Sequence, residues 1–201
     1  MPLIDKILSL PLHVLNHWSY TIILLSTLLE SSPIFGLLIP GQVIVIIGGL
    51  LAKLNIIDLG DVIFFSSLGA ILGDLLGYLI GKKYGYDFIK DYGKYFYFKK
   101  EHYEQTKRLM NEHVGKTLIF GRFNSLTRSF APFVAGSTDV SFMLFLIYNI
   151  IGGISWGLSY SLIGYIFGHS YKLASKYVSG IMLILFFLVI GISYYKMRKL
   201  K

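Results

Sequence analysis

Residues 120–136 read Phe-Gly-Arg-Phe-Asn-Ser-Leu-Thr-Arg-Ser-Phe-Ala-Pro-Phe-Val-Ala-Gly. The stretch sets two guanidinium groups, Arg122 and Arg128, in an otherwise apolar run that Pro132 and Gly136 break. Arginine does not lose its charge in a protein. In hydrocarbon each guanidinium costs at least about 2.5–3.5 kcal/mol. The segment therefore does not read as a lipid-facing helix. It lines a polar cavity, and an anionic partner is expected there.

Outward from this stretch the chain is apolar. Of its 201 residues 54% are hydrophobic, and residues 177–195 carry no charge at all. Residues 140–171 carry none either if His169 is neutral. A membrane span needs roughly 20 apolar residues, so the chain reads as an all-α polytopic membrane protein. The net charge of +8 is gathered in the loops between apolar runs. That distribution points to cytoplasmic loops rather than to nucleic acid. There is no cysteine, which excludes disulfides and thiolate ligands. No cationic n-region or small-residue cleavage site opens the sequence, so no cleaved signal peptide is expected.

Residues 1–18 mix apolar side chains with Asp5, Lys6, His13, Asn16 and His17. Leu3, Ile4, Ile7, Leu8 and Leu15 share a helix face, which predicts an interfacial helix bent at Pro11. His13 and His17 have a metal-compatible spacing but no carboxylate beside them, so headgroup-level polar residues are the simpler reading. No metal and no cofactor is expected. Residues 20–29 and 43–52 are apolar arms flanking Glu30, Pro33 and a tip of Pro40, Gly41 and Gln42. Each arm is about ten residues, roughly 15 Å of helix or half a bilayer. Residues 20–52 therefore read as a re-entrant hairpin, broken at its tip by proline and glycine. Such backbone is tolerated at membrane depth only inside protein or beside water. The alternative is a straight pair of spans with Glu30 in a surface loop, for which the arms are short.

Asp58 and Asp61 form a short polar loop, and Asp58 or Ser66 can start the next helix. Residues 62–80 then read as a span. Gly69, Gly73, Gly77 and Gly81 recur every four residues and give a smooth face for close backbone approach. The same face is a candidate for pairing two copies of the chain. Asp74 lies beside the stripe in mid-span, so it is expected to point into the bundle. A carboxylate there either pairs with a cation or takes up a proton. Residues 82–116 are basic and interleaved with tyrosine and phenylalanine, which predicts amphipathic surface helices with a headgroup-level aromatic belt. Glu101, Glu104, Lys107 and Arg108 read as ordinary helix pairs.

Residues 117–138 form a second predicted hairpin. Arg122, Asn124, Ser125, Thr127 and Arg128 lie near its middle, and Pro132 and Gly136 are assigned to its tip. Residues 140–166 are a span that carries Asn149 and Trp156. Lys172 and Lys176 sit in a loop, residues 177–195 are the last span, and residues 196–201 are a basic tail. The whole chain, residues 1–201, is one integral membrane domain with halves at 20–81 and 117–195. Residues 82–116 and the tail are the most basic regions, so both are expected in the cytoplasm. An even number of crossings must separate them, which holds only if the arginine stretch re-enters. The fold expected is two inverted re-entrant hairpins plus transmembrane helices and amphipathic surface helices. Broken elements at matching places in two halves point to a transporter site near the midplane.

Four motifs carry a family resemblance. They are Gly69-x-x-x-Gly-Asp-x-x-Gly-Tyr-x-x-Gly-x-x-x-Gly85, Gly121-Arg-Phe followed by Arg128-x-Phe-Ala-Pro-x-x-Ala-Gly136, Asn149-x-x-Gly-x-x-x-Trp156, and Gly164-Tyr-x-x-Gly168. In this order they resemble the DedA family, a branch of the membrane proteins that share the SNARE-associated or VTT domain. The resemblance covers about residues 25–170. It implies two inverted re-entrant hairpins facing each other, and movement of lipids such as undecaprenyl phosphate or phosphatidylethanolamine between leaflets. It also implies that Glu30 is the acid before the first hairpin tip, that Arg122 and Arg128 are the paired arginines, and that Asp74 is the acid of the Gly-Asp step. The chain departs from the pattern at Gln42, where many members carry Asp or Glu, which weakens proton coupling because an amide does not titrate. Asn124-Ser125 also departs, standing where many members have an apolar residue followed by proline.

The function expected is transport of a phosphate-headgroup lipid in the plasma membrane. Arg122 and Arg128 would hold the phosphate, because the guanidinium fork donates two hydrogen bonds at once. Glu30 and Asp74 would be counter-charges or proton carriers, with Asn124, Thr127 and Asn149 as supporting polar groups. Two rivals use the same residues: a proton-coupled antiporter of ions or small cations, and a buried ion-pair network that only fixes the hairpins. An enzyme is not expected, since His102, His113 and His169 are scattered and form no set with Asp and Ser. Membrane lipids, and a second copy of the chain, are the partners considered.

Overall fold

A computed structural model describes residues 12–33, 36, 39–92 and 100–168. Every regular element among them is helical. They are α1 (Leu12–Ser31), α2 (Gly41–Lys53), α3 (Leu59–Tyr92), α4 (Lys100–Phe120), a 3-10 turn (Gly121–Phe123), α5 (Ser125–Gly136) and α6 (Phe142–Phe167). Leu59–Asp87 of α3 and the whole of α6 are 29 and 26 residues of membrane-crossing length and polarity. Residues 1–11, the loop lysines 172 and 176, the expected span at 177–195 and the basic tail lie outside the described residues, as do the side chains of His13 and His17.

α3 and α6 form an antiparallel central pair. Asn149 Nδ2 donates to the Ile71 carbonyl at 3.1 Å, and Gly157, two turns along α6, faces Ser66 and Ser67 of α3. α1 runs alongside α3 in the same direction. The Asp58 amide donates to the Tyr20 hydroxyl at 2.9 Å, Thr27 meets Gly69, Leu28 meets Gly73, and Pro33 approaches Gly77. The chain then turns, and α2 returns past Ile23 and Val62 to pack on α6. From the other end, α5 lies on α3 with Phe133 over Gly81, and Gly136 lies against the Tyr78 backbone. Each half thus lays the second arm of its hairpin on the span of the other half. Gly49 and Gly164 let α2 and α6 touch backbone to backbone, and Gly81 and Gly136 do the same for α3 and α5. The glycine stripe of α3 is covered from within the chain, by α1 at Gly69 and Gly73 and by α5 at Gly77 and Gly81.

The core is split along the molecule. Val45, Val62 and Trp156 pack at one end, and Tyr78, Met110 and Phe145 at the other. Outward faces are apolar too: Ile147, Ile151, Ile154 and Leu158 of α6 and Phe64, Leu72, Leu76 and Leu79 of α3 are exposed. A helix apolar on every side belongs in lipid or in a large core.

Three expectations need correction. First, no break separates an interfacial helix from a hairpin arm near residue 19. α1 is one helix of 20 residues, about 30 Å long. It holds no proline or glycine, and Ser26 and Thr27 turn their hydroxyls back onto the Ile23 carbonyl at 3.0 and 2.8 Å. Pro33 ends it, because proline excludes helix in the residue before it. Second, Pro132 and Gly136 are not at a hairpin tip. Pro132 lies inside α5, where its missing N–H withdraws one bond from the Arg128 carbonyl. Its ring is buried beside Gly77. The turn is instead Gly121–Phe123 with Asn124. Third, the span helix of α3 continues past Ile80 to a break at Gly85 with φ 59°, beyond which a second helix carries the basic residues to Tyr92, and α4 is likewise broken at His113. Asp58 does start α3, its Oδ1 accepting from the Asp61 amide at 3.1 Å, while Ser66 is mid-helix.

Candidate functional site

The two hairpin turns approach each other from opposite ends of the α3–α6 pair and meet near its middle. Glu30 sits in the last turn of α1, Asp74 on α3, Arg122 on the 3-10 turn, Arg128 in the first turn of α5, and Asn149 and Trp156 on α6. The turn at Arg122 is tight because the Asn124 amide bonds to the Gly121 carbonyl at 3.1 Å. Asn124 then caps α5: its carbonyl accepts from the Arg128 amide at 2.9 Å, and its Oδ1 accepts from the Thr127 amide at 3.2 Å. That cap fixes where Arg128 leaves the helix.

All four charged groups are buried, with 2–5% of each exposed. Arg122 Nη2 donates to Asp74 Oδ2 and to Asn149 Oδ1, and to the Asn149 carbonyl at 3.3 Å. Asn149 is itself fixed by its bond to Ile71. Gly152 leaves room for this guanidinium, since a Cβ there would lie 2.9 Å from Arg122 Nε. Arg128 Nη2 pairs with Glu30 Oε1 at 2.9 Å, and its Cζ stands 5.9 Å over the Trp156 ring. Glu30 also faces the start of α2, because a Cβ on Gly41 would lie 2.5 Å from Glu30 Oε2. The amide end of a helix is a favourable place for a carboxylate.

Both ion pairs cross between halves, carboxylates from the first and arginines from the second. Together the four charges cancel. Each arginine nevertheless meets its carboxylate through one nitrogen. Arg122 Nε and Nη1, Arg128 Nε, and on the other side Glu30 Oε2 and Asp74 Oδ1, are buried with no partner in the protein. Neither arginine thus uses the bidentate fork, the stronger geometry of an arginine–carboxylate pair.

Glu30, Asp74, Arg122, Arg128 and Asn149 are brought together. Asn124 is on the exposed side of the turn with Thr127, and both serve the α5 cap. Pro40 and Gly41 begin α2, with Gln42 half-buried beside them. Trp156 is part of the site without having been assigned to it. Its signal was the two-turn spacing from Asn149, which puts both on one face of α6. Among the described residues no group of three or more His, Asp or Glu is placed to hold a metal.

The VTT domain profile matches residues 39–166. The chain is 32% identical over 174 residues to Protein DedA of Escherichia coli strain K12, covering 83% of this chain and 79% of that protein. It is 31% identical over 166 residues to the inner membrane protein YabI of the same organism, covering 81% and 63%. An uncharacterized membrane protein of Mycobacterium leprae, ML0287, is 33% identical over 132 residues, covering 66% and 59%. No solved structure matches the chain significantly.

Proposed function

The chain belongs to the DedA family of VTT-domain membrane proteins, and on that premise we propose that it moves a lipid with a phosphate headgroup between the leaflets of the plasma membrane. The observation that carries this reading is the pair of buried arginines, each tied to its carboxylate by one nitrogen and each left with unused donors. A phosphate oxygen accepts from such donors with the strength of a charged hydrogen bond. Buried charges of this kind mark a pathway by default.

In this mechanism the phosphate takes the place of Glu30 on Arg128, and Glu30 falls back toward the amide end of α2. Arg122 stays with Asp74 and Asn149 and adds its free edge to the phosphate. The apolar tails remain in lipid, along the exposed faces of α3 and α6, while the headgroup crosses between the hairpin turns. The hairpins are re-entrant: turns that meet beside mid-α3 from opposite ends support this, since non-helical backbone at membrane depth must be held in protein. The basic end at Lys82 and Lys83 faces the cytoplasm.

The test is leaflet accessibility of a phosphate-headgroup lipid in liposomes reconstituted with the protein. Arg122→Ala together with Arg128→Ala should abolish exchange. Arg128→Lys, which keeps the charge but not the fork, should slow it at least about tenfold with the folded protein retained. Exchange that persists in the double alanine variant refutes the reading. An ion-pair network with a purely structural role predicts the opposite of the lysine result, loss of folded protein rather than of exchange.

A further inference from the structure

We propose that Trp156 is a ligand contact of this site, its indole N–H donating to a phosphate oxygen that Arg128 holds. The inference rests on the reading of Arg128 as a phosphate group's partner and adds a second, uncharged donor to it. Trp156 is 1% exposed, yet its Nε1 has no acceptor in the protein. The Arg128 guanidinium covers the ring face at 5.9 Å. An indole N–H lies in the plane of its ring, so it is directed beside Arg128 and not at it. Arg128 Nε is also without an acceptor. Both groups only donate, so neither can satisfy the other. Two adjacent buried donors await one acceptor, and a tetrahedral oxyanion offers two oxygens at once. At these two donors a cation would find no lone pair to bind.

The aromatic neighbours give the contact a setting. Tyr160 is 5.2 Å from the Trp156 ring, and Phe123 is 6.1 Å from Tyr160. Phe123 is exposed and Tyr160 half-buried, so the row runs from the outside of the turn to Arg128. The tilted contact with Tyr160 fixes the Trp156 ring, and a fixed ring fixes the direction of its N–H. The tryptophan thus works by orienting Arg128 and by adding selectivity for an oxyanion.

The experiment uses the full chain in a phosphorus-free maltoside detergent. Thermal stabilisation is titrated with polyprenyl phosphate in the micelle and, separately, with inorganic phosphate in the buffer. Trp156→Phe keeps the ring face and deletes the donor. It should fold at least as well as the native chain, since it removes an unmet buried donor, and bind the responding phosphate about tenfold more weakly. Trp156→Leu should weaken binding further. The arm that responds tells a lipid headgroup from a free ion, and a native chain that responds to neither phosphate overturns both the site and the contact. If Trp156→Phe binds like the native chain while Arg128→Lys does not, the indole contact is wrong and the arginine reading stands. If neither variant changes binding, both fail. A second measurement is free of folding effects at Trp156. The chain has two tryptophans, so Trp18→Phe leaves Trp156 as the sole indole. Its emission should shift as phosphate saturates, and an unchanged spectrum at saturation overturns the proposal.

Discussion

Gly41 and Glu30 share one small volume, and the site depends on how little Gly41 takes. A methyl group there would press on the Glu30 carboxylate, and overpacking of this kind costs roughly 1–3 kcal/mol. Gly41→Ala should therefore lower the melting temperature by several degrees and slow lipid exchange, because Glu30 would be driven off the position from which it pairs with Arg128. Scanning fluorimetry and the liposome assay check the two halves of that statement. Asp74 carries the larger structural load. Asp74→Ala leaves the Arg122 charge buried with only Asn149 for company, and breaking a buried pair from one side costs about 3–5 kcal/mol. The yield of folded protein should fall sharply for Asp74→Ala and much less for Arg128→Lys. The four charges were legible in the sequence because a charge in an apolar run has a known cost. Which arginine meets which carboxylate was not, because that depends on the rotation of α3 against the hairpin turns. Nor did Trp156 stand out, since a buried indole is ordinary until its N–H is found without an acceptor.

Elements were legible where composition alone decides them. The spans α3 and α6 follow from apolar length, and the start of α3 follows from Asp58. Breaks were less legible. Pro132 looks like a terminator in sequence, but tertiary packing against Gly77 carries α5 past it, and the loss is one hydrogen bond. The residue that does shape this element is Asn124. Replacing a helix cap by alanine costs about 1 kcal/mol, so Asn124→Ala should loosen α5 modestly, read as a small drop in melting temperature, without removing a donor from the phosphate. At the other end of α5 the effect is larger. Gly136 touches the Tyr78 backbone, and a leucine there would lever α5 off α3. Gly136→Leu should abolish the folded protein. Gly85→Leu is the instructive contrast: no atom lies near its Cβ position, but its φ of 59° with ψ −153° is a region kept almost entirely for glycine, so its cost is confined to backbone strain of about 1–3 kcal/mol. Comparing the two in the same melting assay separates close packing from conformation as the reason for a glycine.

At the scale of the whole molecule, the charge distribution makes a prediction about orientation. Lys53, Asp58 and Asp61 mark one end of the α3–α6 pair. Lys82 and Lys83 mark the other, joined there by α4 with Lys107 and Arg108 through the contact of Tyr86 with Tyr103. The ends are separated by the 29 residues from Leu59 to Asp87, about 40 Å of helix. The excess of lysine and arginine at the second end predicts that this end faces the cytoplasm. α1 runs in from the Asp58 end and α5 runs out to the Lys82 end, so Glu30 and Arg128 meet in the interior. The native chain has no cysteine, and single cysteines can be placed without background. In intact cells, Asp58→Cys should react with a membrane-impermeant maleimide, and Lys83→Cys and Lys107→Cys should react only after permeabilisation. Arg128 should be reached from neither side while Glu30 holds it, so Ser129→Cys, beside it on the buried face of α5, should stay unlabelled. Labelling of Asp58→Cys and Lys83→Cys from the same side would remove the full crossing of α3, and with it the geometry in which two hairpins from opposite faces enclose one phosphate.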